Sequence, residues 1–167
     1  MHCKLHQAQI SPVRLSVNKN QKTTQTTISQ SDLSINEQEV DQEVSYTIVV
    51  TSTSGAPVSD IKIKWAIMVK PTHGKTDLKL VEGERTCSLN FGQKFTFDTD
   101  LMQLNGKKWQ SRNGRNRKAI SSQIVGYAVE VYIGDRVVAS DIQPPDAKRK
   151  IDLLRGGGEG GQQLHQF

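Results

Sequence analysis

Oily side chains fall at every second position along three stretches of the chain. In EVSYTIVVT (43–51), Val44, Tyr46, Ile48 and Val50 alternate with Ser45, Thr47 and Val49. In DIKIKWAIMVK (60–70), Ile61, Ile63, Trp65, Ile67 and Val69 alternate with Lys62, Lys64, Ala66, Met68 and Lys70. In IVGYAVEVYIG (124–134), Val125, Tyr127, Val129, Val131 and Ile133 alternate with Gly126, Ala128, Glu130 and Tyr132. A β-strand sends successive side chains to opposite faces, so each run offers one apolar face to a core and a wetter face to solvent. That is the signature of antiparallel sheets with one buried side.

Turn chemistry separates the runs. SGAP (54–57) divides the first two, Gly134-Asp135 joins VEVYI to RVVAS as a two-residue hairpin, and NFGQ (90–93) separates RTCSL from KFTFDT. Pro144-Pro145 ends the last strand, because proline cannot continue a ladder. VRLSV (13–17) and TQTTIS (24–29) are weaker strand candidates, and VEGER (81–85) reads as a hairpin tip. One short helix is expected over 146–154, DAKRKIDLL. About seven to nine short antiparallel strands with little helix predict an all-β, immunoglobulin-like β-sandwich with flexible termini. The expected core is Tyr46, Ile48, Val50, Ile61, Ile63, Trp65, Ile67, Leu89, Phe95, Phe97, Val125, Tyr127, Val129, Val131 and Val138.

Composition changes this picture at the ends. Residues 1–9 read as a flexible lead, 10–154 as the sandwich, and 155–167 as a disordered Gly-rich tail that cannot offset its ordering entropy. The 167 residues suffice for a core without metal or disulfide staples. The two cysteines, Cys3 and Cys87, do not flank the Trp65 strand as the pair of antibody domains does; two free thiols are expected, and a bridge stays open. No apolar run is long enough for a transmembrane segment.

Candidate chemistry is sparse. His2, His6 and His165 lie in the expected tails, and His73 in PTHGK has no nucleophile motif beside it. Gly74-Lys75-Thr76 resembles the end of a phosphate-binding loop, but position 69 is Val where that loop needs glycine. Glu82 and Glu84 flank Gly83 and read as an exposed turn. No metal-ligand spacing occurs. No catalytic, metal or cofactor residues are therefore assigned, and neither enzyme activity nor a small-molecule substrate is expected.

Charge supplies the candidate surface. The formal net charge is +5, and NGKKWQSRNGRNRK (105–118) holds six cations and no acid. Its Asn-Gly pairs and polar length predict a long loop, with Trp109 as a possible anchor onto the sandwich. QSDLSINEQEVDQE (30–43) holds five acids and no cation. The two segments could meet within one molecule or between copies, and such attraction orients partners more than it binds them. The interaction candidates are Lys107, Lys108, Trp109, Arg112, Arg115, Arg117 and Lys118 with Asp32, Glu37, Glu39, Asp41 and Glu43. A nucleic-acid-binding module using 105–118 is one alternative, although a single tryptophan makes a poor stacking platform. A carbohydrate-binding module is a second, set against an aromatic content of only 5%.

The order SYTIVVTSTSGAPVSDIKIKWAIMV, a basic insertion, then GYAVEVYIGDRVVASDIQPPD resembles immunoglobulin-like proteins of Verrucomicrobia of the Akkermansia type, encoded with type IV pilus-like components. The resemblance spans about residues 40–146, and its most specific block runs from Gly126 to Pro145. It implies a non-enzymatic interaction or assembly module of the bacterial cell envelope, in the periplasm or on the outer membrane surface. That location assumes that a leader peptide was removed; the resemblance also implies an oligomer, and a protein partner or a small homo-oligomer is expected. It carries over no catalytic or ligand residues.

Overall fold

The computed structural model describes residues 10–30, 35–72, 78–111 and 117–157. Among them are nine strands and one helix. The strands are β1 (Val13–Gln30), β2 (Ile35–Ser52), β3 (Val58–Lys70), β4 (Lys79–Leu89), β5 (Lys94–Asp98), β6 (Met102–Ser111), β7 (Arg117–Ser121), β8 (Gln123–Ile133) and β9 (Arg136–Gln143), followed by α1 (Ala147–Gly157). They form an all-β sandwich. One sheet runs β1-β2-β6-β7, with β5 also paired to β2; the other runs β4-β3-β8-β9. Every pairing is antiparallel. The chain crosses between sheets after β2, after β4 and after β7, so strands adjacent in space are distant in sequence.

The alternation sets the core. Tyr46, Ile48 and Val50 of β2 meet Ile61, Ile63, Trp65 and Ile67 of β3 and Val129 and Val131 of β8, all buried. Tyr46 and Tyr127 lie 5.0 Å apart across the sheets, and Trp65 lies 5.2 Å from Phe97, both pairs tilted as aromatic quadrupoles prefer. Gly134, at φ 61°, makes the β8–β9 turn, and Gly92, at φ 73°, the β4–β5 turn.

Several expectations are corrected. VRLSV and TQTTIS belong to one continuous strand, β1, because β2 is equally long and pairs with it from Val13↔Ser52 to Gln30↔Asn36. VEGER is not a hairpin tip but the middle of β4, with Gly83 opposite Trp65. A Cβ at Gly83 would stand 2.0 Å from Trp65 Cζ2, so the missing side chain is the space the indole occupies. Val125 leaves the main core. A register shift between Met68 and Val69 turns Ile124 inward in its place, and Val125 packs on the opposite face.

That opposite face is drier than its sequence suggests. Ala66, Met68 and Ala128 on β3 and β8 are covered by Ala147 and Ile151 of α1, forming a second small core. The helix starts one residue after, and ends three residues after, the expected 146–154. Glu130 fixes it, accepting hydrogen bonds from Lys148 Nζ at 2.8 Å and from the Tyr132 hydroxyl at 3.1 Å. Arg155 Nε donates to Glu82 at 2.7 Å from the last turn.

Gly83→Ala is expected to lower stability by about 2–3 kcal/mol, since the rigid indole must move to admit one methyl. Gly55→Ala, with nothing within 4 Å of its Cβ position, is the control and stays within about 0.5 kcal/mol. Urea unfolding followed by Trp fluorescence measures both; equal midpoints would refute the packing account.

Candidate functional site

β2 is longer than the core needs. Its even-numbered residues Val44, Tyr46, Ile48 and Val50 point inward, and its pairing to β6 runs from Val44↔Met102 to Ile35↔Ser111 without a register shift. The same phase therefore continues through residues 37–43. Glu37, Glu39, Asp41 and Glu43 are odd-numbered and lie in one row on the outer face of the sheet. Successive members of such a row stand about 7 Å apart. The facing residues of β6 are Trp109, Lys107, Asn105 and Gln103, and those of β1 are Thr26, Thr24 and Lys22 opposite Glu39, Asp41 and Glu43.

The acidic and basic segments thus meet within one molecule as neighbouring strands. Lys107 Nζ donates to Glu37 Oε1 at 2.8 Å, and this bond, with the Glu37 charge, raises the lysine above its usual pKa. Gln103 Nε2 donates to Glu43 Oε1 at 3.1 Å. Glu39 and Asp41 accept no hydrogen bond from a side chain among the described residues, and both line an open groove of about 620 Å³ with Pro71, Thr72, Asn105 and Ser122. A contiguous groove of about 360 Å³ adds Lys22, Thr24 and Glu43.

Residues 105–111 are not loop, as expected from their Asn-Gly pair, but strand. Gly106 lies in mid-β6, where a Cβ would stand 2.6 Å from Ser121 Cβ on β7. Close approach of two strands, rather than a turn, is what calls for glycine there. Trp109 is half-buried on β6 opposite Glu37 and Lys118, away from the sandwich core, so it does not anchor a loop there. Lys108 falls on the other face, opposite Gln38. Arg117 and Lys118 lie on β7 opposite Gln110 and Trp109. Asp32, Arg112, Arg115, His73, Cys3 and the remaining histidines lie outside the described residues.

Beyond Val44 and Leu104 the β1-β2-β6-β7 sheet outruns the second sheet. From Lys19 to Thr27 every β1 side chain is exposed on both faces. This part of the sheet forms a polar wing on the sandwich. Its length was invisible to periodicity, because Thr, Gln, Asn and Lys supply no hydrophobic alternation.

No group of three or more potential metal ligands converges among the described residues. Cys87 is a half-buried thiol with no disulfide partner among them, and burial pushes its pKa up. Among the described residues, no helix is long and apolar enough to cross a membrane.

All three tyrosines are shifted upward. Burial is the cause at Tyr46 and the largest cause at Tyr132, where Glu130 adds to it. Burial and the Asp141 carboxylate push Tyr127 up to about 12. Its hydroxyl donates to Asp141 Oδ2 at 3.3 Å.

No family model matches the chain, and no curated protein does. Among solved structures, a structural-genomics target aligns at 12% identity over 76% of this chain and 92% of its own, with a TM-score of 0.34. The curli protein CsgC of E. coli aligns at 16% identity over 75% of this chain and 100% of its own, with a TM-score of 0.32. A protein from Akkermansia muciniphila aligns at 13% identity over 83% of this chain and 75% of its own, with a TM-score of 0.32. None of these likenesses is near enough to assign a role.

The tyrosines give a pH prediction. A raised folded pKa means that the fold favours the protonated phenol, so the stabilisation is complete below the ordinary value of 10.0 and is lost as pH climbs toward 12. Phenolate absorbance of the native chain is expected to rise only above pH 10, whereas the urea-unfolded chain titrates near 10. Tyr127→Phe should make stability less sensitive to pH between 10 and 12. A native titration step at pH 10 would overturn the assignment.

Proposed function

We propose that this chain is a non-enzymatic interaction and assembly module of the bacterial cell envelope, and that the outer face of its polar wing meets a protein partner. The observation that carries the reading is the row Glu37, Glu39, Asp41 and Glu43 on a sheet that extends past its own core. Such an extension buries little apolar surface and so contributes little to stability. Its value lies in what it presents. Two of the four carboxylates, Glu37 and Glu43, are engaged by Lys107 and Gln103, while Glu39 and Asp41 face the groove free of hydrogen bonds from described side chains. A partner bearing Lys or Arg fits there, with the charges setting orientation and encounter rate.

The interleaving also bears on nucleic acid. A phosphate track needs uninterrupted cations, and here Lys107 stands between Glu37 and Glu39 of the neighbouring strand. The envelope placement draws support from the sequence resemblance of the Gly126–Pro145 block.

The test is capture of partners from a cell-envelope fraction by the immobilised chain at two salt concentrations. Retention of a specific protein should fall about tenfold or more between 50 and 500 mM salt, as expected for exposed charges. Glu39→Lys should cause a similar loss while leaving the circular dichroism spectrum unchanged. Capture indifferent to both, or retention of DNA in preference to protein, would sink the proposal.

A further inference from the structure

The outer edge of β1 is a row of unused main-chain groups whose parity follows from its pairing. Thr53 donates its N–H to Pro12 O at 2.9 Å, toward β1, while Ser52 donates to Gln93 O at 3.0 Å, away from β1. Tyr46 likewise turns away, exchanging bonds with Thr99 at 2.9 Å. Ser52 is the partner of Val13 and Tyr46 the partner of Lys19. Hydrogen-bonded and non-hydrogen-bonded pairs alternate along an antiparallel ladder. Even-numbered residues of β1 therefore bond to β2, and odd-numbered ones turn N–H and C=O outward, up to the register shift after Thr27.

Near Val13 this edge closes toward β9, where Ser11 Oγ donates to Val138 O at 2.6 Å. From Lys19 to Thr27 no described strand pairs with it. The segment KNQKTTQTT has no proline, no acid and no bulge, and only Lys19 and Lys22 of the usual edge defences. The other edge of this sheet, β7, has only five residues.

We infer that β1 pairs antiparallel with β1 of a second copy of this chain, two-fold about Thr23. This deepens the assembly role proposed for the wing by naming one partner, and it uses main-chain groups rather than the acidic face. In this register Lys19 meets Thr27 of the partner subunit, Gln21 meets Gln25 of the partner subunit, and the two Thr23 residues face each other. Five residue pairs then exchange about ten N–H···O bonds over a seam of about 30 Å.

Charge favours the same register. Lys22 lies on the outer face beside Glu43 of its own β2, and the seam places it opposite Thr24 of the partner subunit. Thr24 is itself the neighbour of Asp41, so each lysine sits between carboxylates of two copies, the farther about 10 Å away by Cα. The two sandwich bodies fall at opposite ends of the seam.

Analytical ultracentrifugation of the full chain is expected to show a dimer. Thr23 turns its N–H to the free edge, so Thr23→Pro removes one seam bond from each copy while sparing the β1–β2 ladder; it should raise the dimer dissociation constant at least about tenfold. Thr23→Val keeps the N–H and should dimerise as the parent does. In a chain with Cys3 and Cys87 replaced by Ser, Thr23→Cys should form an intermolecular disulfide under mild oxidation. Thr27→Cys should not, because the two Thr27 positions stand about 27 Å apart. A monomeric parent, an undiminished dimer for Thr23→Pro, or cross-linking through position 27 but not 23 overturns the inference. Glu39→Lys should leave the dimer intact, so loss of envelope-partner capture and loss of self-pairing are separable failures.

Discussion

Everything distinctive about this molecule depends on one strand keeping its phase. β2 runs from Ile35 to Ser52, and its pairings to β5 and β6 show no register shift. Because side chains alternate with a period of two, fixing Ile48 and Val50 in the core also fixes Glu37, Glu39, Asp41 and Glu43 on the outer face. A single inserted residue between Glu43 and Val44 would send the carboxylates to the other side. The core thus dictates the geometry of a charged surface that it does not touch.

The neighbour of β2 changes from β5 to β6 at Thr99, and Tyr46 keeps both of its main-chain bonds across the change. Thr99 is buried; its hydroxyl accepts the Tyr46 N–H, and its own N–H donates back to Tyr46 O. A side chain completes the ladder where one strand stops and the next has not begun. The second sheet is held from outside by α1, where Glu130 gathers Lys148 and Tyr132 in a partly desolvated cluster. The Glu130 bond raises the Lys148 pKa, so that contribution persists below the ordinary lysine value of 10.5 and fades only as pH rises above it.

The wing and the sandwich follow different physics. The sandwich gains from apolar burial and tolerates little change, as the fit of Trp65 over Gly83 shows. The wing is mostly polar, with Val40 and Trp109 half-buried among its described apolar side chains, so main-chain bonds and cross-strand pairs such as Lys107 with Glu37 largely hold it together. Strands of that kind are marginal alone and gain from any further strand added at their edge.

The sequence by itself determined the sandwich. Tyr46, Ile48, Trp65, Val129 and Val131 repeat every second residue, and burial of apolar area is strong enough to make that repeat decisive. The turns at Gly92 and Gly134 were equally legible, since few residues accept positive φ. Only the tertiary structure decided that 105–111 is strand, that VEGER lies in mid-sheet, and that Met68 and Val125 meet a helix. A polar strand carries no alternation to read. A glycine that admits a neighbour's ring or backbone looks the same in sequence as one that turns the chain. Those outcomes hang on contacts between residues far apart along the chain, which local pattern does not encode.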